Sequence, residues 1–181
     1  CGLPNRSAAM VVNQNCSSAM RALEIAANKI MIGKTEIALV VGVENMSRVP
    51  HMLPNARSGY RMGSGELVDA LLHDALYDAL VPGHMGMTAE NVAQEYGITR
   101  EECDQLALMS HQRAGKAIES GVFTEEIVPV EIKTKKGVEY YTKDEHYIPD
   151  ASLESMGKLK PAFKPDGGVV TAANASGIND G

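Results

Sequence analysis

Apolar positions along the chain fall into stretches with different periods. Ala9, Met10, Val11 and Val12 make a short run that ends in Asn13-Gln14-Asn15 and then Cys16. From Ser17 to about Ile32, the apolar residues Ala19, Met20, Leu23, Ile25, Ala26, Ala27, Ile30 and Met31 surround a thin polar set of Arg21, Glu24, Asn28 and Lys29. A helix with so little polar face is expected to be buried, and Gly33 suits its C-terminal stop. Ile37-Ala38-Leu39-Val40-Val41-Gly42-Val43 is a continuous aliphatic run, the pattern of a strand covered on both faces. Strand, buried helix, strand predicts a right-handed βαβ unit.

Periodicity is lost over residues 48–68, where Arg48, Pro50, Pro54, Arg57 and Arg61 sit among turn residues. Excursion loops of that length are usually functional or used in assembly. Helical spacing returns over Leu67–Leu80 and is stopped by Pro82-Gly83. Another helix is predicted over Thr88–Tyr96 with Gly97 after it. Thr99 and Glu102 form the T-x-x-E capping box of a long amphipathic helix reaching Ser120, with Gly121 ending it. Glu126–Ile132 and Val138–Tyr141 read as strands joined by a turn at Lys136-Gly137. Residues 142–168 are polar and rich in Pro and Gly, and Gly168–Thr171 reads as a last short strand. The predicted class is α/β.

Length and charge narrow the function. A chain of 181 residues is near the ~150-residue domain prior and buries roughly 70% of its unfolded surface without disulfide staples. A net charge of −6, no Trp, six Tyr and two Phe argue against a nucleic-acid platform. No apolar run approaches the ~18 residues of a membrane-spanning helix, and no basic-then-apolar leader opens the chain. Cys1, Cys16 and Cys103 form no C-x-x-C pair and no metal spacing, and an odd count suits a reducing compartment. A cytoplasmic protein without metal, nucleic-acid or membrane partners is expected. The start at Cys1 and the stop at Ser176-Gly177-Ile178-Asn179-Asp180-Gly181, a turn leading into a helix N-terminus, point to an internal piece of a longer chain.

Cys16 is the sharpest chemical candidate. It falls between an apolar run and a helix N-terminus, where unpaired N–H groups and the macrodipole favour an anion. A sulfur placed there can act as an acyl-transfer nucleophile, with the same N–H groups steadying an oxyanion. The plainer reading, a small buried hydrophobe at a strand–helix junction, stands beside it. His84 lies in a glycine-flanked loop ahead of a helix, and Met85 and Met87 read as gap-filling core. Small residues over 171–181 let backbone approach a ligand, although such stretches are commonly plain turns. Cys103, beside Glu101, Glu102 and Asp104, has anionic neighbours that disfavour a thiolate and reads as structural. His51, His73, His111 and His146 show no partner spacing and no metal signature.

The order of five segments is more telling than any one of them. Val12-Asn13-Gln14-Asn15-Cys16-Ser17-Ser18-Ala19 resembles the nucleophile segment of the thiolase family, the acyl-CoA C-acyltransferases. Gly42-Val43-Glu44-Asn45-Met46-Ser47 resembles that family's Gly-x-Glu-Ser-Met-Ser stretch. His84-Met85-Gly86-Met87-Thr88-Ala89-Glu90-Asn91 is similar to HMGxTAEN, Lys158–Phe163 to KLRPAF, and Val170–Gly181 to VTAGNASGINDG. Together they span nearly the whole chain.

That resemblance implies an αβαβα layered domain built from residues 1–47 and the return segment 168–181, with residues 48–167 as an inserted, mostly helical loop domain over coenzyme A. Residues 48–65 would be the arm that assembles dimers into a homotetramer. Cys16 would carry the acyl group as a thioester. Leu76, His84, Met85, Ala172 and Ser176 would border the pantetheine arm, with Ser155 near the nucleotide end. Substrates would be coenzyme A thioesters, with no permanently bound cofactor, and the family's role lies in fatty acid metabolism. Ser17-Ser18-Ala19 departs from the common Gly-Ser-Gly after the nucleophile. Ile148-Pro149-Asp150 stands where an Arg near the phosphates is common. The family's activating histidine and second, proton-shuttling cysteine have no match here, so these 181 residues alone are expected to be inactive. A non-catalytic coenzyme A-binding or assembly module is the alternative.

Overall fold

The computed structural model describes residues 2–181. They separate into two compact units: one of residues up to Ala75 with Asn179–Gly181, the other of Leu76–Ile178.

In the first unit, helix α1 (Ser18–Met31) forms where the apolar periodicity predicts it, and Gly33 follows at φ 70°. Its expected burial is not observed. No residue of α1 is buried, and Met20 and Met31 are 69% and 82% exposed. The two flanking runs carry no ladder either: the described residues hold three two-stranded antiparallel sheets and no βαβ pair. The reason is physical. A strand is defined by hydrogen bonds to a neighbour and a buried helix by the layer on it, and the described residues supply neither partner. What does form is a close approach of backbone to helix. A Cβ at Gly42 would lie 2.9 Å from the Ala19 Cβ, so glycine lets this run rest on the first turn of α1. After Val43, Glu44 and Gly181 exchange backbone hydrogen bonds of 2.5 and 2.9 Å. Asp180 accepts from the Ser47 N–H at 2.8 Å and from its hydroxyl. The last three residues are thus stitched to the segment before the excursion.

That excursion contains a 3-10 turn (Met46–Arg48) and two short strands, β1 (His51–Met52) and β2 (Val68–Asp69), paired antiparallel with His51 opposite Asp69. The helix expected over 67–80 gives way to this pairing. Its beginning is taken by β2, and only a π-helical turn, Leu72–Leu76, keeps helical form. Local spacing favours helix there, but the non-local ladder wins.

The second unit opens with the hairpin β3 (Tyr77–Asp78) and β4 (Gly83–His84), Tyr77 opposite His84. The Asp78 carboxylate accepts the Leu80 and Val81 N–H groups, which fixes the turn. Helix α2 (Met85–Tyr96) begins three residues earlier than its spacing suggests and ends as expected at Gly97, left-handed at φ 65°. Helix α3 (Arg100–Glu119) has both halves of the capping box, Thr99 with Glu102, and Gly121 follows at φ 73°. A two-residue turn at Lys135-Lys136 joins β5 (Val130–Thr134) to β6 (Gly137–Tyr141), so the first strand starts later than predicted and the turn moves back by one residue. Helix α4 (Leu153–Gly157) is a single capped turn. The core of this unit is small. Gly86, Glu90 and Ala93 of α2, Asp104 of α3, Met156 of α4, Gly168 and Thr171 are its buried residues.

Glu102 accepts hydrogen bonds from the Thr99 N–H (2.8 Å) and hydroxyl (3.1 Å). These hold its carboxyl below the usual 4.5. The folded state therefore binds the charged form better, and the cap's contribution is present above about pH 4.5 and lost as pH falls through the lowered value. Urea denaturation of wild type and Glu102→Gln should show a stability gap that is widest near neutrality and closes in acid. A gap independent of pH would contradict this.

Candidate active site

Cys16 stands at the apex of a tight turn two residues before α1. Asn15 adopts φ 49°, the left-handed region, and is the only non-glycine residue to do so among those described. Asn tolerates it because its short polar side chain costs little there. Hydroxyls and amides lock the turn. The Asn15 N–H donates to Asn13 Oδ1 at 3.0 Å and the Gln14 N–H to Ser18 Oγ at 2.8 Å. The Ser17 hydroxyl donates to the Gln14 carbonyl (2.8 Å), and the Ser18 hydroxyl to that of Asn15 (2.6 Å). Both serines are thus spent bracing the turn. Ser17, at the N-cap, makes no side-chain cap. The Ser18 N–H is spent on the Asn15 carbonyl (3.1 Å), so the capacity for an external anion that a helix start offers falls to the N–H groups after it in the first turn. Cys16 itself is exposed, so the buried-hydrophobe reading does not describe it. Asn15 also reaches the π-helical turn, its Nδ2 lying 3.5 Å from the Asp74 carbonyl oxygen.

In the second unit the structure gathers three of the expected segments. His84 closes β4 and caps α2: its Nδ1 accepts the Gly86 N–H at 3.0 Å. That bond puts the ring's proton on Nε2, leaving one donor free to face a ligand. The imidazole stacks on Phe163 with centroids 4.6 Å apart and planes at 29°. Gly86 makes this possible, because a Cβ at that position would collide with the Phe163 ring. Met85, beside it, is half exposed.

Behind them lies Glu90, 3% exposed. Its carboxylate accepts the Val169 N–H through both oxygens (3.1 and 2.9 Å) and the Val170 N–H at 2.9 Å. The Val170 carbonyl in turn accepts from Ala162 N–H at 2.8 Å. Residues 168–171, expected as a strand, form none: a side-chain carboxylate takes the place of the neighbouring strand. Ala172 and Ser176 follow, both exposed, in a turn rather than at a helix start. Ser155 is also exposed, and its hydroxyl is committed to the cap of α4, donating to the Ser152 carbonyl at 2.9 Å. Leu76, half-buried, ends the π-helical turn.

Cys103 and His111 behave as structure, and Cys1 lies outside the described residues. Burial first, then Asp104, Glu102 and Glu90, push the Cys103 thiol above its ordinary 9.0. His111 accepts the Ile148 N–H at 3.1 Å. His73 is a surface residue, its Nδ1 lying 2.6 Å from Asp74 Oδ1. Among the described residues no His, Cys, Asp and Glu cluster could hold a metal, and no helix is long and apolar enough to cross a membrane. A cavity of about 410 Å³ on α3 is lined by His111, Lys116, Tyr147 and Pro149, with none of the expected site residues on its wall. Spacing alone singled out none of Glu90, Phe163 and Asn174. For Glu90 the signal was present: it lies four residues after Gly86 and three before Ala93, on the face of α2 that packs inward.

The likeness to solved structures gives the chain the thiolase-like α/β fold, with a cysteine at a helix start. Acetyl-CoA acetyltransferase from Syntrophomonas wolfei superposes on the chain with a TM-score of 0.94 at 64% identity, covering 99% of this chain and 45% of that one. Human mitochondrial 3-ketoacyl-CoA thiolase does so at 0.92 and 42% identity, with the same coverage. The family model for the thiolase N-terminal domain matches residues 1–181, and the chain belongs to the thiolase family. It is 50% identical over 181 residues to an acetyl-CoA acetyltransferase of Cupriavidus necator and 48% identical to one of Escherichia coli, covering 99% of this chain and 46% of each relative. The chain thus spans about half the length of the curated relatives it matches.

Iodoacetamide should label Cys16, exposed on its turn, faster than Cys103, whose thiol is partly buried among carboxylates. Peptide mass spectrometry over a time course reads both rates, and equal rates would remove the case for a reactive Cys16.

Proposed function

We propose that this chain carries the nucleophile and coenzyme A wall of an acyl-CoA C-acyltransferase that condenses two acetyl-CoA or cleaves acetoacetyl-CoA. The observation that carries the reading is the exposed Cys16 at the uncapped start of α1, on a turn held by Asn15 in the left-handed region. The Cys16 sulfur attacks the thioester carbonyl of acetyl-CoA, and the C–S bond to coenzyme A breaks. The products are an acetyl-Cys16 thioester and the coenzyme A thiolate, which takes up a proton. An enolate formed from a second acetyl-CoA then attacks the acetyl carbonyl, forming the new C–C bond and returning the Cys16 thiolate. N–H groups at the start of α1 favour negative charge where it develops. Relatives named acetyl-CoA acetyltransferase support the two-carbon acyl group.

Leu76, His84, Met85, Ala172 and Ser176 are assigned to the pantetheine arm and Ser155 to the nucleotide end. A narrow amphipathic arm is suited by small residues, a pliable Met and one free imidazole N–H. In the proposed domain division, residues 1–47 and 168–181 belong to the catalytic core and 48–167 to the loop domain. Residues 48–65, with β1 and the loop after it, are assigned to subunit assembly of a cytoplasmic homotetramer. The activating histidine and the second cysteine are assigned to the part of the full-length protein outside these residues, so this chain alone is proposed to be inactive.

In the full-length protein, Cys16→Ala should lower condensation turnover by at least about three orders of magnitude. Retained turnover would favour a coenzyme A-binding or assembly role instead. Deleting residues 53–65 should shift the full-length protein from tetramer to dimer in sedimentation velocity. An unchanged sedimentation coefficient per subunit mass would remove the assembly role of this arm.

A further inference from the structure

Asn174 lies at the centre of a partly buried polar relay that the proposed chemistry does not use. Its Nδ2 donates to Asp104 Oδ1 at 2.9 Å and to the Val169 carbonyl at 2.8 Å, while its Oδ1 accepts the Thr171 N–H at 2.8 Å. All the hydrogen-bonding capacity directed inward from this amide is therefore committed. Asp104, 4% exposed, also accepts from Arg100 Nε at 2.8 Å, and Arg100 Nη2 donates to the Met156 carbonyl at 2.6 Å. One chain of hydrogen bonds thus runs from α4, through α3, to the loop 169–174. Glu90 grips the start of the same loop from α2. Thr171, fully buried, closes it with a hydroxyl that accepts the Ala173 N–H at 3.2 Å. Ala172 and Ser176 project from a loop pinned on both sides by charged groups out of solvent.

We propose that the Arg100–Asp104–Asn174 relay is a positioning device that holds the loop bearing Ala172 and Ser176 in register with α4, and so sets the enzyme's preference for donors with a pantetheine arm. Arg100, Asp104 and Asn174 act through the loop and touch no reacting atom. A loop fixed only by backbone turns would drift, and displacement by about 1 Å at a binding wall costs up to about 100-fold in rate. Hydrogen bonds to buried charges are the strong kind, and leaving one partner unpaired costs more than the bond itself contributes.

The inference rests on the coenzyme A reading above, and the test separates the two. In the full-length protein, acetylation of Cys16 is followed by mass spectrometry with acetyl-CoA and with phenyl thioacetate, an acetyl donor that lacks the pantetheine arm. Asn174→Asp sets two carboxylates against each other, and Asp104→Asn sets its new amide donor against either Asn174 Nδ2 or Arg100 Nε. The double change restores one donor facing one acceptor, although the Val169 carbonyl loses its donor. Each single change should slow acetylation by acetyl-CoA at least about tenfold and by phenyl thioacetate less than about twofold. The double change should recover at least about threefold of the loss with acetyl-CoA. Equal losses with both donors, no loss at all, or no recovery in the double change would overturn the positioning role. If either single change fails to fold, the double change carries the test: a folded protein that keeps its preference for acetyl-CoA supports the relay, and one that also fails to fold overturns it. Failure of the coenzyme A reading itself would show in the unsubstituted protein, as acetylation by phenyl thioacetate without any by acetyl-CoA.

Discussion

A carboxylate without a cationic partner organises the larger of the two units. Glu90 is out of water and would be costly there if its oxygens were idle. Instead they hold the amides of Val169 and Val170, two consecutive donors at the start of a loop. Because the Val170 carbonyl also receives the Ala162 N–H, that short stretch is held from both sides of its backbone. Everything placed near Ala172 depends on this grip. The aromatic pair of His84 and Phe163 depends on the same helix, four residues earlier, where only glycine leaves room for the ring.

The turn that carries Cys16 is built on another principle. It has little burial, and its shape comes from short-range hydrogen bonds among Asn13, Ser17 and Ser18 and from one left-handed residue. Such turns hold a side chain outward at a fixed angle, and their cost in backbone strain is kept local. Ser17 and Ser18 are not passive in this turn. Their hydroxyls add a second donor to the carbonyls of Gln14 and Asn15, which also accept the Ser17 and Ser18 N–H groups.

Legibility in the sequence followed the range of the interaction. The ends of α2 and α3 were readable because Gly97, Thr99, Glu102 and Gly121 act within one turn. The β5–β6 hairpin was readable to within a few residues for the same reason. Over 67–80 a helical pattern was present, but the decisive partner, His51–Met52, lies far away in sequence. Segments 9–13 and 37–43 have the composition of strands, and composition alone cannot supply a ladder. At the site, chemistry pointed to Cys16, whereas Leu76, His84, Met85, Ser155, Ala172 and Ser176 came from the order of family motifs. The residues that hold the loop at 169–174, Glu90, Asp104 and Asn174, were missed because their roles depend on long-range pairing between that loop and helices α2 and α3.

Helix α1 carries a practical consequence. Met20, Leu23, Ile30 and Met31 face water along its length, and the aliphatic run at 37–43 is similarly bare, with Ile37 at 89% exposure. Contiguous uncovered surface of that kind is what colloidal self-association feeds on. Produced as an isolated polypeptide, these residues invite inclusion bodies and hold-up by chaperones, whatever the intrinsic stability of the helices downstream.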